Sequence, residues 1–597
     1  MKKLTISALA LLAGLPAMAQ DTMILGEVTI FSSLTPQDVN RTGATVEVIT
    51  EEELRETAVQ SVSDYIARLP GVTVAQNGGF GKQTAVRVRG LAGAYVAVRV
   101  DGIDVSDPSA TQSLFDFGGL MTSDIARIEI LKGGQSALYG SEAIAGVINI
   151  TTTAAVEEGR AISLAAEVGS FGTVAGSIAF SEAYERGSLA FTYSQTSTDG
   201  FSARDSDTEE DGGRARRLSF SGEYEATDSV TLGFTGFVGD SETEFDNSTT
   251  DPTGEQFVET TGLRVFAEVT GDRVDSTFSA STFANDRFFP GGFTENFRGE
   301  RKELSYVGTT QFGATDVSFG AEYSRESYTS DFEAGDATVA SIFGEVLYAP
   351  NEALDLSFSL RGDKHSEFEA SLNARAALAW RASPNTIVRA VASTGTRNPS
   401  LYELFGFFGN PDLTPETSRT LEAGVERIFD GGGFVKATAF RTDIEDLITY
   451  DFPTNAYAQV GGATETSGIE LSGAMPINDY VDVFGNYTYT RAQTDGVDLV
   501  RVPTHELALG VSAMLKEGLT GELSLRHVAD FTDFDAVTFA RKDMANFTVV
   551  NAALTYEVAD GQEAYVRVEN LFDEDYQTVD GFNQPGRSIY VGFRATF

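Results

Sequence analysis

The feature that most constrains this chain is an alternation of apolar and polar side chains that starts near residue 153 and runs to the C-terminus. Successive side chains of a β-strand point to opposite faces, so a period of two predicts strands with one apolar face. In the final stretch, SIYVGFRATF, one face carries Ile589, Val591, Phe593, Ala595 and Phe597, and the other carries Tyr590, Gly592, Arg594 and Thr596. The chain from residue 154 onward is therefore predicted to be almost entirely β.

The length of this region favours a membrane barrel over a soluble sandwich. A sandwich would not continue for more than 400 residues without a domain break and with aromatic residues enriched near the strand ends. Roughly 445 residues shared among 22 strands leave about 20 for each strand with its connection, which suits tilted membrane-spanning strands. No later segment is a long uncharged apolar run, which excludes a protein that crosses the membrane with helices. We predict a mainly β protein with a 22-stranded antiparallel transmembrane β-barrel over residues 154–597.

Residues 45–153 follow a mixed α/β pattern that we assign to a separate domain. The stretch TEEELRETAVQSVSDYIARLPG predicts one helix, because Thr50 and Glu53 can form a capping box and Pro70 with Gly71 would end it. Strands are predicted at GVTVAQ, AVRVRG, AYVAVRVDG, IARIEILKG and GVINITT. A barrel of 22 strands encloses an open lumen, so we expect this domain to fill the lumen as a plug.

The N-terminus has the pattern of an export signal. Lys2 and Lys3 precede an apolar stretch, and Ala17-Met18-Ala19 offers a small-residue cleavage site. The apolar stretch is shorter than the roughly 20 residues of a membrane-spanning helix, which disfavours an uncleaved anchor. We predict a signal peptide over residues 1–19.

Charge and cysteine content exclude several functions. The formal net charge of -44, from 87 acidic and 43 basic residues, would repel nucleic acid. The sequence has no cysteine, which removes disulfides, thiolate zinc sites and cysteine nucleophiles. No serine-nucleophile or zinc-helix motif occurs, so we expect no enzyme activity and no catalytic residues.

Two motifs carry a resemblance to a known family. The segment LKGGQSALYGSEAIAGVINI, residues 131–150, resembles the plug signature of TonB-dependent outer-membrane receptors, with Gly134 where the family has proline. VENLFDEDY and the terminal Phe597 resemble the family's closing strands. The resemblance implies an outer-membrane receptor of a Gram-negative bacterium that takes up a large, scarce nutrient. A passive porin is disfavoured because it needs no plug.

The resemblance also implies partners. These are periplasmic TonB with its inner-membrane proton-driven complex, and outer-membrane lipid and lipopolysaccharide around a monomeric barrel. In residues 20–44, the segment DTMILGEVTIFSS resembles a TonB box, which would bind by adding a strand to an exposed sheet edge. The predicted residues are Asp21, Thr22, Met23, Ile24, Leu25, Glu27 and Val28. Residues 21–25 and 26–30 are alternative registers of this box.

Four charged residues match a plug–barrel cluster of the family. Arg89 and Lys132 precede glycines in the plug, and Glu422 and Glu470 lie in LEAGVE and GIELSG of the barrel. Two cations and two carboxylates can neutralise one another in a wet lumen. The alternative is four unrelated surface charges.

The plug pattern is most similar to cobalamin transporters within the family, through LPGVTVAQNGGFG and VDGIDV. That similarity implies that cobalamin contacts the plug loops. The corresponding positions are Gln83, Ala85, Ala92, Ala110 and Thr111. A ferric siderophore is the alternative ligand, since YELFGFF would suit many bulky molecules. The region TGTRNPSLYELFGFFGNPDLTPE carries no histidine, which disfavours haem.

Two acidic loops suggest a calcium site and no other cofactor. The stretches ARDSDTEEDGG and GDSETEFDNSTTDP bring carboxylates close in sequence, and Ca²⁺ takes six to eight oxygen ligands. Cobalamin transporters place calcium in similar loops. The predicted ligands are Asp205, Asp207, Glu209, Asp211, Asp246 and Asp251. Solvated acidic loops are the alternative interpretation.

Overall fold

The computed structural model describes residues 28–29, 32–152, 155–156, 158–204, 208–247 and 253–597. Its N-terminal part is an α/β domain inside the lumen of a closed β-barrel. None of the helices in these described ranges is both long and apolar enough to cross a membrane.

The plug is built on a five-stranded mixed sheet. Its strands are ordered β3-β8-β9-β6-β7, with β6 and β9 parallel, and β4 with β5 forms a separate hairpin. The elements are β1 (Val28–Thr29), β2 (Gln37–Asp38), β3 (Thr45–Thr50), α1 (Glu51–Thr57), α2 (Val62–Ile66), β4 (Val72–Gln76), β5 (Thr84–Val88), β6 (Val96–Val100), β7 (Ile103–Asp104), β8 (Ile125–Lys132), α3 (Ser136–Tyr139) and β9 (Gly146–Thr152). Short 3₁₀ turns lie at Gly93–Tyr95 and Thr122–Asp124. The five strand segments predicted for the plug are confirmed.

The prediction of one long helix after Thr50 is wrong. The capping box of Thr50 and Glu53 is present, but α1 ends at Thr57 and Ala58 adopts a left-handed conformation. The backbone between α1 and α2 bonds to a neighbouring loop instead: the Gln60 carbonyl accepts a hydrogen bond from the Thr122 amide at 2.8 Å. Tertiary hydrogen bonds outweigh the helical spacing of the apolar residues here.

The remaining chain forms the barrel. The strands are β10 (Gly159–Gly169), β11 (Val174–Tyr184), β12 (Gly187–Phe201), β13 (Asp211–Thr227), β14 (Val230–Phe245), β15 (Gly254–Val269), β16 (Asp275–Phe288), β17 (Asn296–Phe312), β18 (Thr315–Ser330), β19 (Ala334–Asn351), β20 (Leu354–His365), β21 (Ser371–Ser383), β22 (Thr386–Arg397), β23 (Glu416–Ile428), β24 (Phe434–Glu445), β25 (Ile448–Asp451), β26 (Ala456–Gln459), β27 (Thr464–Asn478), β28 (Val481–Thr494), β29 (Val497–Asp498), β30 (His505–Lys516), β31 (Leu519–Ala529), β32 (Thr532–Phe534), β33 (Arg541–Asp543), β34 (Phe547–Ala559), β35 (Gln562–Glu569) and β36 (Ser588–Thr596). Helix α4 (Leu401–Phe405) lies between β22 and β23.

Twenty-two of these described strands form the wall, and the predicted fold class is confirmed. β25–β26 and β32–β33 are hairpins in loops, and β29 is a short pairing at the end of β28. The barrel closes where β10 pairs antiparallel with β36, with Val168 opposite Val591. Closure leaves no unpaired edge, which a membrane-spanning sheet requires.

The alternation in the sequence separates the lipid face from the lumen. Ile589 and Val591 of β36 are each 51% exposed on the outer wall, whereas Tyr590 between them is buried. Short turns join strands at the end that holds the C-terminus, and long loops, including α4, lie at the other end. Barrels of outer membranes have short periplasmic turns and longer extracellular loops, so the two ends can be told apart.

Candidate functional site

Arg89 is the centre of a buried charged site between the plug and the wall. Its backbone has a φ of 52°, and its amide donates to the Gly71 carbonyl at 2.7 Å. Its guanidinium Nε lies 2.8 Å from Oε1 of Glu470, and its Nη1 binds Glu422. These three side chains are at most 4% exposed. The structure therefore brings together one predicted cation and both predicted carboxylates.

Lys132 joins the same site and adds two residues that the sequence did not suggest. Its Nζ lies 3.0 Å from Oε1 of Glu47 and 3.6 Å from Oε2 of Glu470. Lys436 on the wall reaches the same Glu47 oxygen at 3.4 Å. We call these six residues the plug–wall ion cluster: Glu47, Arg89, Lys132, Glu422, Lys436 and Glu470. Three cations balance three carboxylates, as buried charges require.

The charges of Glu47 and Arg89, two plug members of the cluster, are stabilised by their oppositely charged neighbours. Burial alone would raise the pKa of the Glu47 carboxyl, but Lys132 and Lys436 lower it to about 2. Burial opposes the charge of Arg89, yet Glu422 and Glu470 raise the pKa of its guanidinium. Glu47 and Arg89 therefore stay ionised at neutral pH.

Gly71 makes room for the cluster. Its φ is +70°, and a Cβ on this residue would lie 2.1 Å from Oε1 of Glu470. Its amide also donates to Oγ1 of Thr488 on the wall at 2.8 Å. The glycine predicted to end a helix thus brings the plug backbone against the carboxylate that binds Arg89.

The five predicted ligand residues lie in upper plug segments but differ in exposure. Gln83 and Thr111 are exposed, Ala85 and Ala92 are half-buried, and Ala110 is buried. Ala92 packs against the main plug core. A role in ligand binding stays a prediction for all five, and only Gln83 and Thr111 have exposed side chains.

A chain of aromatic rings covers the loops near Thr111. Neighbouring ring centroids are 4.9–6.3 Å apart. The members are Phe293, Tyr328, Phe332, Tyr402, Phe407, Phe408, Tyr450, Phe452 and Tyr457. Phe293 is 79% exposed and Phe452 is 73% exposed. Contiguous exposed apolar surface is characteristic of interaction sites, which makes the exposed rings of this chain a candidate contact surface.

Among the predicted calcium ligands, Asp205, Asp207 and Asp251 lie outside the described residues. Asp211 and Asp246 are buried, and Glu209 is half-buried. Within the described ranges no group of three or more acidic or histidine side chains is arranged to hold a metal ion. Calcium binding stays a prediction.

A plug lysine lies against these acidic loops. Nζ of Lys82 donates to the carbonyls of Asp211 at 3.0 Å and Gly212 at 2.9 Å. Burial lowers the pKa of Lys82 to about 8, against the attraction of Asp211, Glu244 and Asp246. This ammonium supplies positive charge where calcium was predicted.

Most of the predicted TonB box, from Asp21 to Glu27, lies outside the described residues. Val28 is described and pairs antiparallel with Asp38 through β1 and β2. Strand β3 of the plug sheet follows this pairing in the chain. Two of its side chains contact the plug–wall ion cluster: Thr45 donates to Glu422, and Glu47 binds Lys132.

A closed outer-membrane barrel, with a plug held in its lumen by buried ion pairs, defines a gated transport protein rather than an open pore. A family profile described as TonB dependent receptor-like, beta-barrel matches residues 163–571, and one described as TonB-dependent Receptor Plug Domain matches residues 38–147. The chain belongs to the TonB-dependent receptors, which lie in the outer membrane of Gram-negative bacteria. Membership implies TonB as a partner and a large nutrient as ligand.

Individual relatives differ in what they carry. The chain is 26% identical over 584 residues to the vitamin B12 transporter BtuB of Photobacterium profundum, covering 93% of each protein. It is 25% identical to the vitamin B12 transporter BtuB of Vibrio cholerae, covering 96% of this chain and 95% of that one. The solved siderophore receptor PirA from Acinetobacter baumannii superposes with a TM-score of 0.80 at 18% identity, covering 93% of this chain and 98% of PirA. At that identity the superposition shows the fold alone.

Proposed function

We propose that this protein is a TonB-energised transporter of cobalamin. The observation that carries the proposal is the similarity to vitamin B12 transporters, which extends over 93% of both chains at 26% identity. It covers the plug and the barrel together, including the loops in which a ligand would be bound.

The geometry supports a cycle in which binding and energy input occur at opposite ends. The ligand binds between the aromatic loops and the plug residues near Thr111. TonB pairs with the N-terminal segment as an added strand. A pull on this segment reaches β3, and so breaks the contacts of Thr45 with Glu422 and of Glu47 with Lys132. Loss of these contacts frees the plug to rearrange.

A ferric siderophore is the second candidate, and the aromatic chain favours it. Its exposed rings offer stacking surface to an aromatic ligand, with Phe293 5.5 Å from Phe332 and 6.1 Å from Phe407.

The two candidates are separated by growth of strains that lack their own receptors. The gene is expressed in one strain that depends on cobalamin uptake and in another that depends on ferric-siderophore uptake. We expect growth on nanomolar cobalamin and none on siderophores, with purified protein binding cyanocobalamin. Growth on a siderophore without cobalamin binding would replace the proposal with the second candidate.

A further inference from the structure

A second buried ionic site lies above the plug–wall ion cluster, towards the long loops. It joins Arg397 at the end of β22, Glu403 in α4, Glu416 at the start of β23 and Tyr95 in the plug. Arg397, Glu403 and Glu416 are at most 1% exposed, and Tyr95 is 4% exposed. We call these four residues the upper ion cluster.

Arg397 holds both carboxylates in bidentate geometry. Towards Glu416, its Nε lies 2.6 Å from one carboxylate oxygen and its Nη2 lies 3.0 Å from the other. Towards Glu403, its Nη1 and Nη2 lie 3.0 and 3.2 Å from the two oxygens. The Tyr95 hydroxyl donates to Glu416 at 3.1 Å. One cluster thus connects two wall strands, a loop helix and the plug.

The second carboxylate charge is stabilised by neutral donors. Glu403 accepts from the Ser400 amide at 2.8 Å and from Gln112 Nε2 of the plug at 3.2 Å. The Ser400 hydroxyl also donates to the Thr111 carbonyl at 3.0 Å. Gln112 and the Thr111 carbonyl belong to one plug segment, and Thr111 is a predicted ligand residue. Arg397 alone cannot balance two carboxylates, so the plug donors Gln112 and Tyr95 add to the stabilisation of the buried charges and link α4 to the plug.

The two clusters act at different heights on one strand. Glu416 and Glu422 are six residues apart on β23, so both side chains point into the lumen. Glu422 binds Arg89 in the middle of the plug, whereas Glu416 binds Tyr95 next to the ligand surface.

We propose that the upper ion cluster positions the ligand-binding surface. It fixes α4, which carries Tyr402 of the aromatic chain, on plug residues 111–112, so that loop and plug bind the ligand as one surface. Arg397, Glu403 and Glu416 are positioning residues that act through Thr111 and α4. The identity of the ligand rests on the proposed function, but the contact between α4 and the plug does not.

The test measures hydrogen exchange first, in ligand-free protein. Glu403→Gln and Tyr95→Phe are compared with the parent and with Glu333→Gln, which alters a Tyr328–Glu333 hydrogen bond of 2.7 Å in a neighbouring loop. For Glu403→Gln we expect exchange to become at least tenfold faster in residues 107–114 and 398–412. Tyr95→Phe should give a smaller increase in the same segments. Glu333→Gln should leave exchange in residues 107–114 unchanged. Unchanged exchange in residues 107–114 would overturn the proposal.

Binding and conductance then distinguish positioning from general damage. For Glu403→Gln we expect at least tenfold weaker cyanocobalamin binding with parental pore conductance in bilayers. Raised conductance with parental affinity would overturn the proposal, because the cluster would then serve only to close the pore. If the parent itself binds no cyanocobalamin, the proposed function fails, while the exchange result still decides the role of the cluster.

Discussion

Glu422 and Glu470 each neutralise charge that belongs to the plug. Removing both should leave Arg89 and Lys132 under-neutralised in a buried site, where breaking a pair costs roughly 3–5 kcal/mol. We expect Glu422→Ala/Glu470→Ala to raise pore conductance in bilayer recordings. The control is Glu465→Ala on the same strand as Glu470, which pairs with the exposed Arg441 at 2.8 Å. A double variant as closed as the parent would show that these residues do not hold the plug.

Gly71 offers a test of close packing with a matched control. Gly71 and Gly159 both have a φ near +70 to +80°, but a Cβ at Gly159 meets nothing within 4 Å. Each alanine substitution should cost about 1 kcal/mol of backbone strain. Only Gly71→Ala should also raise conductance, because its methyl group would displace Glu470. Equal conductance in the two variants would contradict this account of Gly71.

At the scale of elements, the acidic loops should reveal whether calcium or Lys82 neutralises them. If calcium binds, chelation should weaken cobalamin affinity of the parent, and Asp211→Ala/Asp246→Ala should remove that dependence. Ligand titrations at millimolar calcium and with chelator measure this. Equal affinities would leave Lys82 as the neutralising charge and exclude the calcium site.

The sequence predicted elements well where one physical pattern dominates. Two-residue alternation and closure require the barrel, so its strands and class were predictable. The helix after Thr50 was mispredicted because the segment between α1 and α2 bonds to Thr122, about 60 residues further along the chain, instead of continuing the helix. The spacing of apolar residues along the helix gives no information about that contact.

The site was predictable only in part for the same reason. Arg89, Lys132, Glu422 and Glu470 lie in motifs with recognisable neighbours. Glu47 sits in an ordinary alternating strand, and Lys436 in a barrel strand, so no local signal marks them. The upper ion cluster depends on four separate elements meeting in space, although the Ser400–Glu403 capping box was readable from the sequence.

For the molecule overall, the folding stability of the plug should depend on pH. One cavity between plug and wall is lined by three guanidinium groups, six carboxylates and a histidine: Arg99, Arg301, Arg361, Asp104, Glu142, Glu303, Glu322, Glu326, Asp363 and His365. Burial raises the pKa of Glu142 to about 8. The charges of Asp104 and Glu326 add to this rise, and the charge of Arg301 opposes it. The folded protein therefore keeps a proton that the unfolded chain loses above about 4.5.

Stability from protonated Glu142 is full below pH 4.5 and is lost as pH rises towards 8. We expect urea unfolding of the plug at pH 8.5 to need less denaturant than at pH 5, and Glu142→Gln to reduce that difference. An identical pH dependence in Glu142→Gln would contradict the assignment.

In the proposed transporter, ligand binding at the loops and energy input at the N-terminal segment are separate functions. Paired binding and uptake of labelled cobalamin by cells carrying the parent or a deletion of residues 21–30 tests it most directly. We predict unchanged surface binding with accumulation abolished, as in the parent after the proton gradient is collapsed. Normal energy-dependent accumulation by the deletion protein would contradict the account.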